Sequence, residues 1–170
     1  RVRANRADPA PDGETVRSQV GFIFQNPQNQ TILPLLREDI ALGLKARRLP
    51  AKAVDHAVQS ILDRFEIAHL AERRPHELSG GELQLAALAS VLVTEPGIVI
   101  LDEPANQLDL RNRARVAKTL RTLDENLLVI SHDLHLIEDF DRVLLFHEGG
   151  LAADGPPAAV IAEYRRIATS

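Results

Sequence analysis

The sequence predicts an α/β fold: a mostly parallel sheet with an α-helical lobe inserted after one strand. Three observations carry this reading. The unbroken apolar runs Ile98-Val99-Ile100-Leu101 and Leu127-Leu128-Val129-Ile130 flank a helical stretch. Such runs alternating with helices mark a parallel sheet covered on both faces. Residues 28–94 carry only helical patterning, and three apolar runs end on polar side chains.

The elements follow in order. Residues 1–15 are polar, hold Pro9, Pro11 and Gly13, and read as a loop. Val20-Gly21-Phe22-Ile23-Phe24 is a strand candidate, and Asn26-Pro27 a turn. From Pro50, Val54, Ala57, Val58, Ile61, Leu62 and Phe65 share one helical face. Ser79 starts a helix to about Thr94 that is apolar nearly all round and therefore expected in the interior. After the strand at 98–101, residues 111–123 read as a helix, 127–130 as a strand and 134–140 as a short helix. Val143-Leu144-Leu145-Phe146 is a further apolar run, and residues 157–167 form a closing helix. The expected organisation is a helical lobe at 28–94, with 16–27 and 95–170 as parts of one α/β core.

Composition narrows the function. The chain has 170 residues, 45% hydrophobic and 26% charged. A chain of this size buries roughly 70% of its unfolded surface and needs no staples. It has no cysteine, so disulfides, thiolate metal sites and cysteine nucleophiles are excluded. The net charge of −4 argues against a nucleic-acid binder, which carries a basic excess. No apolar run approaches the roughly 18 residues of a membrane-spanning helix.

In an open α/β sheet, ligands bind outside the carboxyl ends of the strands. Here those ends carry Gln25, Asp102-Glu103 and Ser131-His132. Strands also stop wherever polar residues begin, so a single such end says little. Asp102-Glu103-Pro104 says more. One of two adjacent carboxylates can hold a hard cation while the other accepts a proton from an attacking water. Magnesium with a phosphate ester is the common client. In Leu78-Ser79-Gly80-Gly81-Glu82, Ser79 and Glu82 can form a capping box without any ligand. Two glycines at the first helical positions cost stability, but they bare backbone N–H groups for an anion at the positive helix end. His132 and His135 make no metal site without a third ligand at suitable spacing. The Arg pairs at 47–48, 73–74 and 165–166 read as solvated surface.

Together these segments resemble the nucleotide-binding subunit of an ABC transporter. Phe24-Gln25 resembles the Q-loop and Leu78–Glu82 the signature motif. Ile98–Pro104 resembles the Walker B strand with its catalytic glutamate, Asn106-Gln107-Leu108-Asp109 the D-loop, and Ser131-His132-Asp133 the switch histidine. The resemblance runs from about Val16 onward. Within the family, Asn26-Pro27-Gln28-Asn29-Gln30 and Glu38-Asp39-Ile40-Ala41-Leu42-Gly43 are similar to energy-coupling-factor ATPases, importers of vitamins and transition-metal ions.

The resemblance implies a P-loop NTPase-type sheet, incomplete here, and an ATP-hydrolysing motor that uses ATP and Mg2+. It implies that Asp102 and Gln25 serve the metal, and that Glu103 and His132 are catalytic. Gln25, Ser79, Gly80, Gly81, Glu82 and Asp109 would contact or sense nucleotide. Two such subunits would sandwich ATP head to tail, as a homo- or heterodimer. A transmembrane subunit would dock on the helical lobe around residues 26–43, so that replacing Asp39 or Leu42 in the full-length protein should lower transport while leaving ATP binding nearly intact. The subunit would sit peripherally on the cytoplasmic face of the cell membrane. A soluble ATPase acting on DNA or ribosomes, or a non-catalytic piece serving as a dimerisation surface, are alternatives.

The chain departs from the family pattern in several places. The Walker A loop G-x-x-x-x-G-K-[ST] and the aromatic that stacks on adenine are absent, and no methionine opens the chain. It is thus expected to be the C-terminal part of a longer ATPase. Glu82 stands where the family more often has Gln, and Leu85 and Ser90 stand where Arg is frequent.

The absent phosphate loop has a direct consequence, because its backbone and lysine form the main phosphate cradle. Residues 1–170 alone should bind Mg-ATP negligibly in equilibrium dialysis. Micromolar binding would mean that the phosphates are held by other groups.

Overall fold

The computed structural model describes residues 19–27 and 31–169. The loop read at residues 1–15 and the segment Gln28-Asn29-Gln30 lie outside them. The chain divides after Ile130 into two compact units, so the core expected over 95–170 is distributed between both.

The first unit holds β1 (Val20–Ile23), α1 (Leu36–Leu42), α2 (Ala51–Arg64), α3 (Gly80–Leu92), β2 (Ile98–Asp102), α4 (Leu110–Arg121) and β3 (Asn126–Ile130). Three short 3-10 turns lie among α1, α2 and α3. The sheet runs β1-β2-β3 and is parallel throughout. Phe22 pairs with Ile100, which pairs with Leu128, and Asp102 pairs with Ile130. The helical region inserts between β1 and β2, as the sequence predicts; among the described residues 31–94 there is no strand.

Helix α3 is the centre of this unit. Gly81, the run from Leu83 to Ala89 and Leu92 are all buried, so the helix has no solvent face of the usual width. It packs against α1, α2, α4 and β1. The lobe's own core comes from Leu36, Ile40, Leu44, Val58, Leu62, Phe65 and Ile67, all buried. The approach of β1 to α3 needs a residue without a side chain. A Cβ at Gly21 would collide with Val91 and stand 3.2 Å from Pro96 Cγ. Arg64 of α2 makes a two-pronged ion pair with Glu125, at 2.8 and 3.0 Å, tying the lobe to the turn before β3.

One face of the sheet is buried through Ile23, Val99 and Leu101. The opposite face is open: Phe22 is 37% exposed, Leu128 50% and Ile130 52%. The expectation of cover on both faces therefore holds for one face. Apolar strand composition calls for a cover on each side; it does not say that the covering element lies among these residues.

The second unit holds α5 (Leu134–Ile137), β4 (Val143–His147), β5 (Gly150–Gly155) and α6 (Pro157–Ala168). The run at 143–146 does not extend the parallel sheet. It forms an antiparallel hairpin with β5, which Gly, Ala and Asp disguise in the sequence. The two turn residues, Glu148 and Gly149, both have positive φ (48° and 77°), as a type I′ hairpin requires. Arg142 clasps Asp154 with two bonds of 2.7 Å, and α6 packs on the hairpin through Val160 and Ile161.

If α3 is the core, Leu88→Ala should destabilise by about 2–5 kcal/mol through loss of burial and a cavity. Leu110→Ala, at a side chain 84% exposed, should stay within about 0.5 kcal/mol. Urea unfolding of both variants checks this, and a neutral Leu88→Ala would remove α3 from its central place.

Candidate functional site

Because β1, β2 and β3 are parallel, their carboxyl ends lie on one edge. Gln25 follows the end of β1 by two residues, and Glu103 follows the end of β2. Register brings these ends side by side, since Ile23 pairs with Leu101. Asp102 is the last residue of β2, on the sheet face shared with Ile100 and half-buried. Glu103 leaves the strand with φ 49°, a left-handed conformation that costs a non-glycine residue about 1–3 kcal/mol. Its N–H donates to the Ile130 carbonyl at 2.9 Å, so the strained turn is pinned to β3.

The loop then doubles back. Asn106 N–H donates to the Glu103 carbonyl at 3.0 Å. Gln107 is again left-handed, at φ 61°, and its N–H is taken by Asn106 Oδ1 at 2.9 Å. Arg113 Nε holds the Leu108 carbonyl at 2.9 Å. Asp109 caps α4, its carboxylate accepting from Asn112 N–H at 2.8 Å and from Asn112 Nδ2 at 3.1 Å. The side chain expected to sense nucleotide is therefore also a helix cap.

The other component is the start of α3. Ser79 and Glu82 form the expected capping box. Ser79 N–H and Oγ–H both donate to Glu82 Oε2, at 2.8 and 2.7 Å, and Glu82 N–H donates to Ser79 Oγ at 3.4 Å. The Ser79 hydroxyl, and then its backbone N–H, hold the Glu82 carboxyl below its ordinary value; His69 and Arg115 add smaller effects in the same direction. The glycines have a reason beyond bare N–H groups. A Cβ at Gly81 would fall on the Asn112 amide and one at Gly80 would stand 3.1 Å from Leu108. The 79–82 turn thus packs directly on the 106–112 segment, and the first unit brings Ser79, Gly80, Gly81, Glu82 and Asp109 together. Asn112 was not legible as a functional residue. Its signal is the third place after an N-cap Asp, a pattern that reads as capping alone.

His132 opens the second unit and is exposed. Asp133 beside it caps α5 by accepting from His135 N–H at 3.0 Å, and Ser131 Oγ accepts from Asp133 N–H at 3.1 Å. His135 is 94% exposed, 3.8 Å from Glu138.

Asp39, within the segment expected to dock a membrane subunit, is a buried clamp, its Oδ1 accepting from Ile32 and Leu33 N–H at 2.7 and 3.0 Å. Leu42, half-buried, lines a cavity of about 220 Å³ with Asp39, Gly43, Ala87 and Ser90.

The edge suits a hard divalent cation that arrives with phosphate. Such an ion takes oxygen ligands, with one or two from protein and the rest from phosphate and water. The Asp102 carboxylate and the Gln25 amide oxygen meet that need at adjacent strand ends. Among the described residues, no group of three or more His, Cys, Asp or Glu forms a protein-only cage.

A family model described as "ABC transporter" matches residues 1–106. The biotin transport ATP-binding protein BioM of Rhizobium etli is 59% identical over 168 residues, which cover 99% of this chain and 75% of that protein. The energy-coupling factor transporter ATP-binding protein EcfA1 of Halalkalibacterium halodurans is 35% identical over 155 residues, covering 89% of this chain and 56% of its own. Among solved structures, cbiO1 of Clostridium perfringens, part of the ABC transporter complex cbiONQ, superposes with a TM-score of 0.87 at 30% identity. That match covers 99% of this chain and 70% of the other.

The capping geometry sets a pH dependence. Ser79→Ala should cost about 1 kcal/mol, the usual value of an N-cap. Glu82 has a folded pKa below its unfolded one, so its contribution is complete above the ordinary glutamate value of about 4.3 and is lost as pH falls through the lower folded value. Thermal melts from pH 3 to 7 should show the gap between the unmodified chain and Glu82→Gln shrinking toward acid. A gap that widened there would contradict the bonding described.

Proposed function

The chain belongs to the ABC transporter ATP-binding family, and from that premise we propose that it forms part of the motor subunit of an energy-coupling-factor importer for a vitamin of the biotin type. The identity to the Rhizobium etli biotin transport protein supports the vitamin over a metal ion as cargo. The observation that carries the reading is the loop 103–109, which leaves the carboxylate end of β2 for α4 and, with Asn112, packs on the glycine turn of α3.

In this reading Asp102 and Gln25 hold Mg2+, which neutralises charge on the phosphates when bound. Glu103 accepts a proton from the water that attacks the γ-phosphate. Its pinned backbone favours this, because a base that need not reorganise is already aligned. His132 donates a hydrogen bond to the γ-phosphate. Ser79, Gly80 and Gly81 serve the nucleotide of a second subunit across a head-to-tail dimer, and Glu82 orders that turn. Gln25 relays the nucleotide state to the helical lobe. No helix among the described residues is long and apolar enough to cross a membrane. In this reading the subunit works from the cytoplasmic face, peripherally, against a transmembrane partner that docks on the lobe near Ile32 and Leu42. Ile32, 75% exposed on an open groove with Pro34, Pro75 and Leu78, supports that placement.

In the full-length ATPase, Glu103→Gln keeps shape and hydrogen bonding but removes the proton acceptor. Hydrolysis should fall by about 10²–10⁴-fold while ATP binding survives, so the ATP-bound dimer should accumulate. Asp102→Asn should instead weaken magnesium-dependent binding. Phosphate release measured beside size-exclusion chromatography separates the two. Unchanged turnover in Glu103→Gln would transfer the base role to His132.

A further inference from the structure

Asn112 lies outside every motif that the function absorbs, yet two groups of the site, Asp109 and Gly81, meet on it. Its N–H and Nδ2 are both given to the Asp109 carboxylate, at 2.8 and 3.1 Å. With Nδ2 so committed, Oδ1 faces Gly81, and a Cβ there would overlap Oδ1 and come within 2.9 Å of the Asn112 Cβ. The contact is so close that only glycine fits, and the Gly81 Cα–H faces the amide oxygen. The next residue, Arg113, grips the Leu108 carbonyl at 2.9 Å, and Leu108 in turn stands under Gly80. The first turn of α4 therefore holds the 103–109 loop with one hand and the start of α3 with the other.

We propose that Asn112 is a positioning residue that locks the glycine turn of α3 to the carboxylate loop within one chain, so that the groups reaching the partner's nucleotide and the groups serving the chain's own nucleotide are set together. This rests on the reading of residues 79–82 and Glu103 given above. The loop carries two left-handed residues, Glu103 and Gln107, and is not held in place by backbone preference. Its placement comes from the Glu103 N–H bond to β3 together with side-chain clasps, and of these clasps Asn112 also touches α3. Displacing either end by an ångström is enough to lower the rate of a positioned reaction about 10²-fold.

The test is a double-variant cycle in the full-length ATPase. Gly81→Ala should lower kcat by about 10–100-fold, because its new Cβ drives Asn112 away. Asn112→Gly removes the obstruction, so the double variant should turn over faster than Gly81→Ala alone. Asn112→Asp keeps the size of the side chain but replaces the Nδ2 donor with a charge facing Asp109. It should fold, lower kcat by about 10-fold or more and leave the KM for ATP nearly unchanged. If the double variant is as slow as the product of the two single effects, or if Asn112→Asp changes only the melting temperature, the inference is overturned. If the unmodified ATPase hydrolyses no ATP, the reading of the site fails and takes this inference with it. Active enzyme with additive variants sinks the inference alone.

Discussion

Helix α3 has almost no side that faces water, and its burial is the constraint from which the first unit is built. Leu83, Leu85, Leu88 and Leu92 are all buried along it, and each such leucine contributes about 1.5–3 kcal/mol when removed from water. That gain outweighs the roughly 1 kcal/mol cost of each glycine at the helix start. The helix can therefore carry Gly80 and Gly81 where a less buried one would fray. The lobe helices α1 and α2, strand β1 and helix α4 all pack on it. Its N-terminus is thereby held against Leu108 and Asn112.

Two kinds of strain are tolerated because that frame is rigid. Glu103 and Gln107 hold left-handed backbone in a loop of irregular structure. Each is restrained by specific bonds: Glu103 N–H to β3, Gln107 N–H to Asn106, and the Leu108 carbonyl to Arg113. Strain kept by surrounding bonds is a feature of sites where side-chain direction matters more than backbone comfort. Glu82 illustrates a related economy: one carboxylate closes the helix cap and takes both donors of Ser79.

Both sheets present apolar side chains to solvent, the hairpin through Leu144, Phe146 and Leu151. The hairpin of the second unit is closed by a type I′ turn and backed by α6. The three-stranded parallel sheet leaves Phe22, Phe24, Leu128 and Ile130 open, with the rings of Phe22 and Phe24 4.6 Å apart. An apolar surface of that kind is a place for another element or another molecule to cover.

Periodicity and punctuation were enough to locate most elements within a residue or two. The strands at 98 and 127, the helices from Ala51 and Gly80, the Ser79–Glu82 box and the polar strand ends were all legible, because local patterns of apolar and capping residues specify them. Strand β5 was not, since Gly, Ala and Asp have no strand preference and pair only because the turn brings them beside β4. The burial of Asp39 gave no signal in the sequence, since it arises from a loop folding over it from residues 32–33. Asn112 gave no signal of its contact with Gly81, because the two are neighbours only after α4 packs on α3. Motif identity and element type are short-range properties carried by the chain itself. Which side chain presses on which glycine is a property of packing, and it exists only once the helices have met.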